Sequence, residues 1–211
     1  MSKDALLELF HDRSGTYSTF LRTALESSVS EKWGEGVGAP FSLEPYRMEI
    51  LGIKPGRMLK KLSEPGKRRY HYFYNSDGKV IYARAYSEIG GPPEDRAWMH
   101  ADDFYEYDAD SAFRYVFGNA FRENPDSKLT RIVKVVYENG LPVREFQLES
   151  RNFEYTETNH SYDGSGNLIE IKIKWPDGPY PDRMLKIYHE IDGLKVFEIR
   201  DQREIPVYPE S

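Results

Sequence analysis

The stretch 160–175, HSYDGSGNLIEIKIKW, restricts the fold more than any other part of the chain. Ile169, Ile171, Ile173 and Trp175 alternate with Glu170, Lys172 and Lys174, which places large apolar groups on one face of a strand and charges on the other. Upstream, Asp163-Gly164-Ser165-Gly166-Asn167 supplies residues that tolerate positive φ or hydrogen-bond their own backbone, so the chain reverses there. Residues 153–162 and 168–175 are therefore expected to pair as a hairpin with one buried and one wet face.

The device repeats. Residues 129–137 turn through Glu138-Asn139-Gly140-Leu141 into 143–148, where Asn-Gly favours a tight hairpin because both central residues take positive φ. Residues 184–190 turn at Ile191-Asp192-Gly193 into 194–200, and 68–74 turn through Asn75-Ser76-Asp77-Gly78-Lys79 into 80–86. Residues 103–107 and 112–117 bracket Asp108-Ala109-Asp110-Ser111. Further strands are expected at 45–53 and at 57–62, the latter pairing with 68–74 about Ser63 to Lys67. Ile89-Gly-Gly-Pro-Pro93 breaks the pattern, and the tail from Arg203, with Pro206 and Pro209, reads as an edge segment or an irregular end.

Before the strands, residues 3–33 read as helical. Leu6, Leu7 and Phe10 share a face, Phe20, Leu21, Ala24, Leu25 and Val29 continue at helical spacing, Ser2 can cap the first turn, and Gly15 separates two helices. The polar face mixes Asp, Glu, Arg and Ser, which suits packing on a sheet better than contact with a membrane. Gly34-Glu-Gly-Val-Gly-Ala-Pro40 lacks the Lys-Ser/Thr ending of a phosphate cradle and opens into no helix, so it reads as a hinge. The expected fold is mainly β (α+β): one domain over 1–211, with a helical segment (1–33), an extended, twisted antiparallel meander of hairpins (41–200) and a tail (201–211).

Composition narrows the function. Aromatics reach 14%, with 16 Tyr and 11 Phe, so burial relies on rings. A net charge of −6 disfavours a general phosphate-backbone binder and favours a basic partner protein. The absence of cysteine excludes disulfides, thiolate metal sites and cysteine nucleophiles. The first residues become charged too soon for a secretory signal, and no apolar run is long enough to span a bilayer as a helix, so cytoplasmic residence is expected.

The densest polar group is Asp102-Asp103-Phe104-Tyr105-Glu106-Tyr107-Asp108-Ala109-Asp110. It lacks the Gly and final Glu of a calcium loop. Glu106, Asp108 and Asp110 would share a strand face, as catalytic carboxylates or as a solvated edge. As a partner-binding surface, Asp102, Asp103, Glu106, Asp108 and Asp110 would attract a basic protein while Tyr105 and Tyr107 anchor it. Histidines 11, 71, 100, 160 and 189 show no metal-ligand spacing, and neither Ser14 nor Ser165 lies in a nucleophile elbow. Lys60, Lys61, Lys67, Arg68 and Arg69 beside Tyr70, Tyr72 and Tyr74 form a further candidate, for single-stranded nucleic acid, which the acidic balance disfavours.

Residues 69–80 (RYHYFYNSDGKV) and 161–169 (SYDGSGNLI) resemble the tyrosine-aspartate repeat of bacterial Rhs and teneurin shells, while Tyr137 and Tyr188 precede turns that keep Gly but lose the Asp directly after Tyr. Single-domain proteins built of such hairpins are also similar to immunity proteins of contact-dependent and polymorphic-toxin systems. That resemblance implies an immunity or antitoxin-type protein that occludes a cognate toxin, and the missing catalytic and ligand motifs with the acidic balance lead us to expect a basic toxin partner and no enzyme activity, cofactor, metal, nucleic-acid or membrane partner. The alternatives are an enzyme or small-ligand binder using a cavity of the curved sheet, and a structural hairpin-repeat module.

Overall fold

The computed structural model describes residues 1–86, 99–118, 127–191 and 193–209. Two helices, α1 (Lys3–Arg13) and α2 (Tyr17–Ser27), precede β1 (Ser30–Glu35), a short α3 (Arg47–Ile50) and β2 (Arg57–Met58). Five hairpins follow: β3 (Arg69–Tyr74) with β4 (Val80–Tyr86), β5 (His100–Tyr107) with β6 (Ser111–Gly118), β7 (Lys128–Glu138) with β8 (Leu141–Glu149), β9 (Glu154–Tyr162) with β10 (Leu168–Lys174), and β11 (Arg183–Glu190) with β12 (Gly193–Arg200). An edge strand, β13 (Arg203–Tyr208), ends the described fold.

All the strands form one antiparallel sheet in the order β13-β12-β11-β10-β9-β8-β7-β6-β5-β4-β3-β1-β2. From β3 onward each strand pairs with its successor, as a run of tight turns demands. The two Asx-led turns share one mechanism. Asn75 Oδ1 accepts from the amides of Asp77 and Lys79 at 3.1 and 2.9 Å, and Asp163 Oδ1 accepts from those of Ser165 and Asn167 at 2.9 and 2.8 Å. Asn139 and Gly140 both adopt positive φ, at 52° and 78°, as their tight turn requires.

Several expectations are corrected. Residues 30–35 are strand, not helix, and β1 enters the sheet between β2 and β3. The strand expected at 57–62 is only two residues long and pairs with β1, not β3. The strand expected at 45–53 is instead α3 with its flanking coil, because Tyr46 turns the chain at φ 52°. A β-bulge between Leu168 and Glu170 shifts the alternation of β10, so Leu168, 2% exposed, joins Ile171 inside while Ile169 stands 40% exposed. The 89–93 break lies outside the described residues.

Helices α1 and α2 cover one face. Leu6, Phe10, Tyr17 and Ala24 bury against a transverse row that the register lines up across seven strands: Phe73, Tyr82, Phe104, Tyr115, Ile132, Leu148 and Tyr155. Ring stacking runs along it, with centroids 4.9 Å apart for Phe73–Tyr82 and for Tyr82–Phe104.

The other face is occupied by residues 37–55, a strap containing α3. Phe41 packs on Tyr72 of β3 and Tyr105 of β5, whereas Tyr46 and Ile50 pack in the cluster of Ile171, Leu185 and Val196 with Val207 and Tyr208 of β13. In the sheet order β3 and β13 stand ten strand spacings apart, about 48 Å if flat. Nine residue steps from Phe41 to Ile50 reach only about 30 Å fully extended. The sheet therefore curls around the strap, with α1 and α2 on its convex side. At the base of the strap a Cβ on Gly36 would lie 2.5 Å from Gly56 Cα, and one on Gly56 would lie 2.5 Å from the Glu35 carbonyl. The glycine run expected to be a hinge thus permits close backbone approach.

Candidate functional site

Strand β5 divides the acidic aromatic stretch between two environments. His100, Asp102, Phe104 and Glu106 face the helices, and Ala101, Asp103, Tyr105 and Tyr107 face the strap. Glu106, Asp108 and Asp110 do not share a strand face, because the strand ends at Tyr107 and the last two acids lie in the turn.

Asp102 is fully buried. It accepts from Tyr17 Oη at 2.6 Å, Tyr82 Oη at 2.9 Å, and Arg84 Nε and Nη2 at 2.8 and 3.1 Å. Burial alone would raise its carboxyl, but hydrogen bonds from His100 and Arg84, the Arg84 charge and the Tyr17 bond bring it down to about 2. This acid ties α2 to the sheet and is closed to a partner. Glu106 remains exposed, accepts from Tyr115 Oη at 2.8 Å and pairs with Arg13 at 3.5 Å.

On the strap face Asp103 accepts from Arg114 Nε at 3.0 Å, and Arg114 Nη1 reaches Glu44 of the strap, also at 3.0 Å. Buried Glu44 is penalised by desolvation but held at about 2 by Arg114, Arg47 and the Ser42 hydroxyl. Burial and the nearby Glu44 charge outweigh Arg114 at Asp103, whose carboxyl is raised. Burial, then Glu44, lifts Glu145 of β8 to about 7, and burial lowers His160 of β9 to about 4. Tyr105 is buried, and Tyr107 donates to the Val80 carbonyl at 2.8 Å.

The register places Tyr72, Ala83, Asp103, Val116 and Arg131 in one row beneath the strap. Long side chains end the row and short ones fill its middle. With Ala85 and Ala101 alongside, this leaves a chamber of about 240 Å³ roofed by Phe41, Arg47 and Met48. Tyr72 Oη and Arg131 Nε are buried without a hydrogen bond of normal geometry, as are Gln147 Oε1 and His160 Nδ1 farther along this face. Of these groups, Glu44, Arg47, Arg114 and Arg131 carry no sequence signal. The alanines do, as single carbons on the inward positions of aromatic strands.

Alternate turns of an antiparallel meander lie at one end of the sheet. The five hairpin turns therefore gather Asp77, Asp108, Asp110, Glu138, Asp163 and Glu190 on one rim, all exposed. Lys79 and Lys195, which pairs with Glu190, offset them in part. A notch of about 400 Å³ in this rim is lined by Tyr107, Asp108, Asp110, Tyr137 and Lys79, whose ammonium lies 4.9 Å from the Tyr107 ring centroid. At the opposite rim Lys54, Arg57, Lys67, Arg68 and Arg69 surround Glu35 in a cleft of about 490 Å³, where Arg57 binds Glu35 Oε1 at 2.9 and 2.6 Å. Tyr70, Tyr72 and Tyr74 of the nucleic-acid candidate turn inward, away from these cations, and Tyr72 is buried. His71 pairs with Glu31 at 2.9 Å, and His189 bonds the Leu168 carbonyl at 2.9 Å. Among the described residues no group of three or more His, Asp and Glu could hold a metal ion.

No family model and no curated protein matches the chain. Among solved structures, a porin-like protein from Bacteroides uniformis is similar over 64% of this chain at 14% identity, with a TM-score of 0.45. The chain spans 50% of the length of that protein.

Proposed function

We propose that this chain is a non-catalytic binding protein of the immunity or antitoxin type, which docks its acidic rim on a basic cognate toxin and covers the toxin's active or substrate-binding surface. The observation that carries this reading is the collection of six exposed carboxylates on one rim by five separate turns. Clustered charge of one sign steers a partner of opposite sign, and Tyr107 and Tyr137 in the notch supply rigid apolar contact. Of the residues read from the sequence as the interface, Glu106, Tyr107, Asp108 and Asp110 remain available, while Asp102, Asp103 and Tyr105 support the strand from within. Cytoplasmic residence belongs to the same reading. The outer face of β10 and β11 carries Glu170 bridged to Lys172 at 2.8 Å and to Lys186 at 2.6 Å, charges that suit water rather than lipid.

Co-expression with the product of the adjacent gene tests the proposal. Rescue of growth and co-purification are expected, and both should be lost when Asp108, Asp110 and Glu138 are changed together to Lys. Absence of rescue, or rescue indifferent to those reversals, overturns it.

A further inference from the structure

The chamber beneath the strap is independent of the rim and has a chemistry of its own. Its row of residues begins at Tyr72 and ends at Arg131, four strand spacings or about 19 Å apart before the side chains lean inward. Ala83, Val116 and the paired Ala85 and Ala101 are too short to fill the interval, so the strap roofs a hollow instead of a core. Both ends of the row carry buried polar atoms without a bond of normal geometry, Tyr72 Oη and Arg131 Nε. A guanidinium Nε can only donate, and a protonated phenol donates most readily, so both ends of the row offer donors to an acceptor. Burial holds the Tyr72 phenol in its protonated form, with only the Phe41 amide acting against it.

Charge defines the Arg131 end. Arg131 binds Glu149 at 2.8 Å through Nη2, which leaves Nε unused. Arg47 enters from the strap, where its charge acts on Glu44 and Glu145. Burial lowers the Arg131 guanidinium, Glu149 opposes this, Arg47 and Arg114 lower it further, and Glu44 acts against them. Glu44, Glu149 and Asp103 offset these cations in part, yet Arg47 and Arg131 still act on each other as like charges, and an anion placed between the two guanidiniums relieves that repulsion. Between the two ends the lining combines the Asp103–Arg114 ion pair with rings, Phe41 lying 5.6 Å from Tyr105 and Tyr70 stacked on Tyr72 at 6.3 Å.

We infer that the chamber binds a small organic carboxylate, its carboxyl group at Arg131 and Arg47, its apolar body over the alanine floor, and a second polar oxygen at the Tyr72 hydroxyl. A volume of about 240 Å³ fits a single ring or a short chain, not a nucleotide.

Calorimetric titration of the full chain with 4-hydroxybenzoate, benzoate and 4-hydroxybenzamide tests the inference. 4-Hydroxybenzoate should bind best, and the uncharged amide roughly ten- to a hundredfold more weakly, as expected for loss of a charge-assisted hydrogen bond. Arg131→Gln should weaken 4-hydroxybenzoate to a similar degree. Tyr72→Phe, which keeps the ring, should make 4-hydroxybenzoate and benzoate bind alike. Ala101→Leu should abolish binding by filling the floor, with thermal melting to show that the variant folds. The inference is overturned if no probe binds at about 10 mM, the weak end of specific recognition, or if binding survives Arg131→Gln and Tyr72→Phe unchanged. Toxin rescue through the rim is read separately, so either result stands without the other.

Discussion

Two transverse rows of the same strands, offset by one residue, have opposite characters. On the helix side Phe73, Tyr82, Phe104, Tyr115, Ile132, Leu148 and Tyr155 make a continuous apolar seam, and the acid beside it, Asp102, is enclosed by donors. On the strap side Tyr72, Ala83, Asp103, Val116 and Arg131 mix rings, single carbons and charges. Among the described residues five buried side-chain atoms lack a hydrogen-bond partner, and four of them, on Tyr72, Arg131, Gln147 and His160, face the strap. Buried polar atoms are normally paired because leaving one unpaired costs about 1–3 kcal/mol. One side of the sheet is thus a finished core, and the other retains capacity for something further.

The sharpest test of this contrast sets Asp102 against its neighbour. Asp102→Asn removes the countercharge of Arg84 and turns one accepting oxygen into a donor that faces the donors around it in a closed site, so it should cost about 3–5 kcal/mol. Asp103→Asn leaves Arg114 paired with Glu44 and should cost only about 1–2 kcal/mol. Urea unfolding with an unchanged slope measures both. Equal losses would mean that the two faces are equally committed to stability.

A second test concerns the hairpin 154–174. Ile171 is fully buried, and Ile171→Ala should cost about 2–4 kcal/mol. Ile169→Ala, at the bulge itself, should change stability by less than about 0.5 kcal/mol. Similar losses at the two positions would place the bulge elsewhere.

That pair also marks how far sequence reasoning reaches. Turns were legible because Asn139-Gly140 and the Asx-led loops at 75 and 163 have a local mechanism, and the hairpins follow from them. The bulge was not, because a one-residue insertion in the ladder depends on how Tyr162 meets Leu168 across the strands, and local alternation favoured Ile169 over Leu168. The strap was also illegible. Residues 45–53 alternate well enough for a strand, but inside a curled sheet their partners are side chains from β3 to β13, so tertiary contact overrides propensity. At the candidate site the acids of β5 were visible as a group, but which of them point inward depends on where the strand starts.

The strap face further differs from the helix face in its response to pH. Glu145, raised to about 7, contributes stability that is complete below its ordinary value near 4.5 and is lost as pH rises through 7. His160, lowered to about 4, contributes stability that is complete above 6.5 and is lost as pH falls through 4. Glu145→Gln should therefore gain on the order of 1–3 kcal/mol over the parent at pH 8 relative to pH 4.5, and His160→Gln should gain at pH 4.5 relative to pH 8. Asp102, held at about 2, falters only below the ordinary carboxylate range, so its loss belongs to acid unfolding under pH 4. Urea midpoints at pH 4.5, 6 and 8 separate these cases, and variant curves parallel to the parent would remove the titration from the strap face.

The smallest expected effect is at the rim, where acids from the same stretch of sequence as Asp102 stand in water. The Asp110 carboxylate makes no hydrogen bond or ion pair with a described residue, and Glu138 is likewise exposed at the end of β7. Asp110→Asn and Glu138→Gln should each shift the urea midpoint by less than the equivalent of about 0.5 kcal/mol, since exposed charges contribute little to folding. If the rim steers a basic partner, the same substitutions should slow association and flatten its salt dependence while the dissociation rate barely moves. Stopped-flow association with the cognate toxin at low and high salt reads both quantities. A change in stability without a change in association rate would make these acids part of the fold, and the division between buried acids that hold the sheet and exposed acids that recruit a partner would fail.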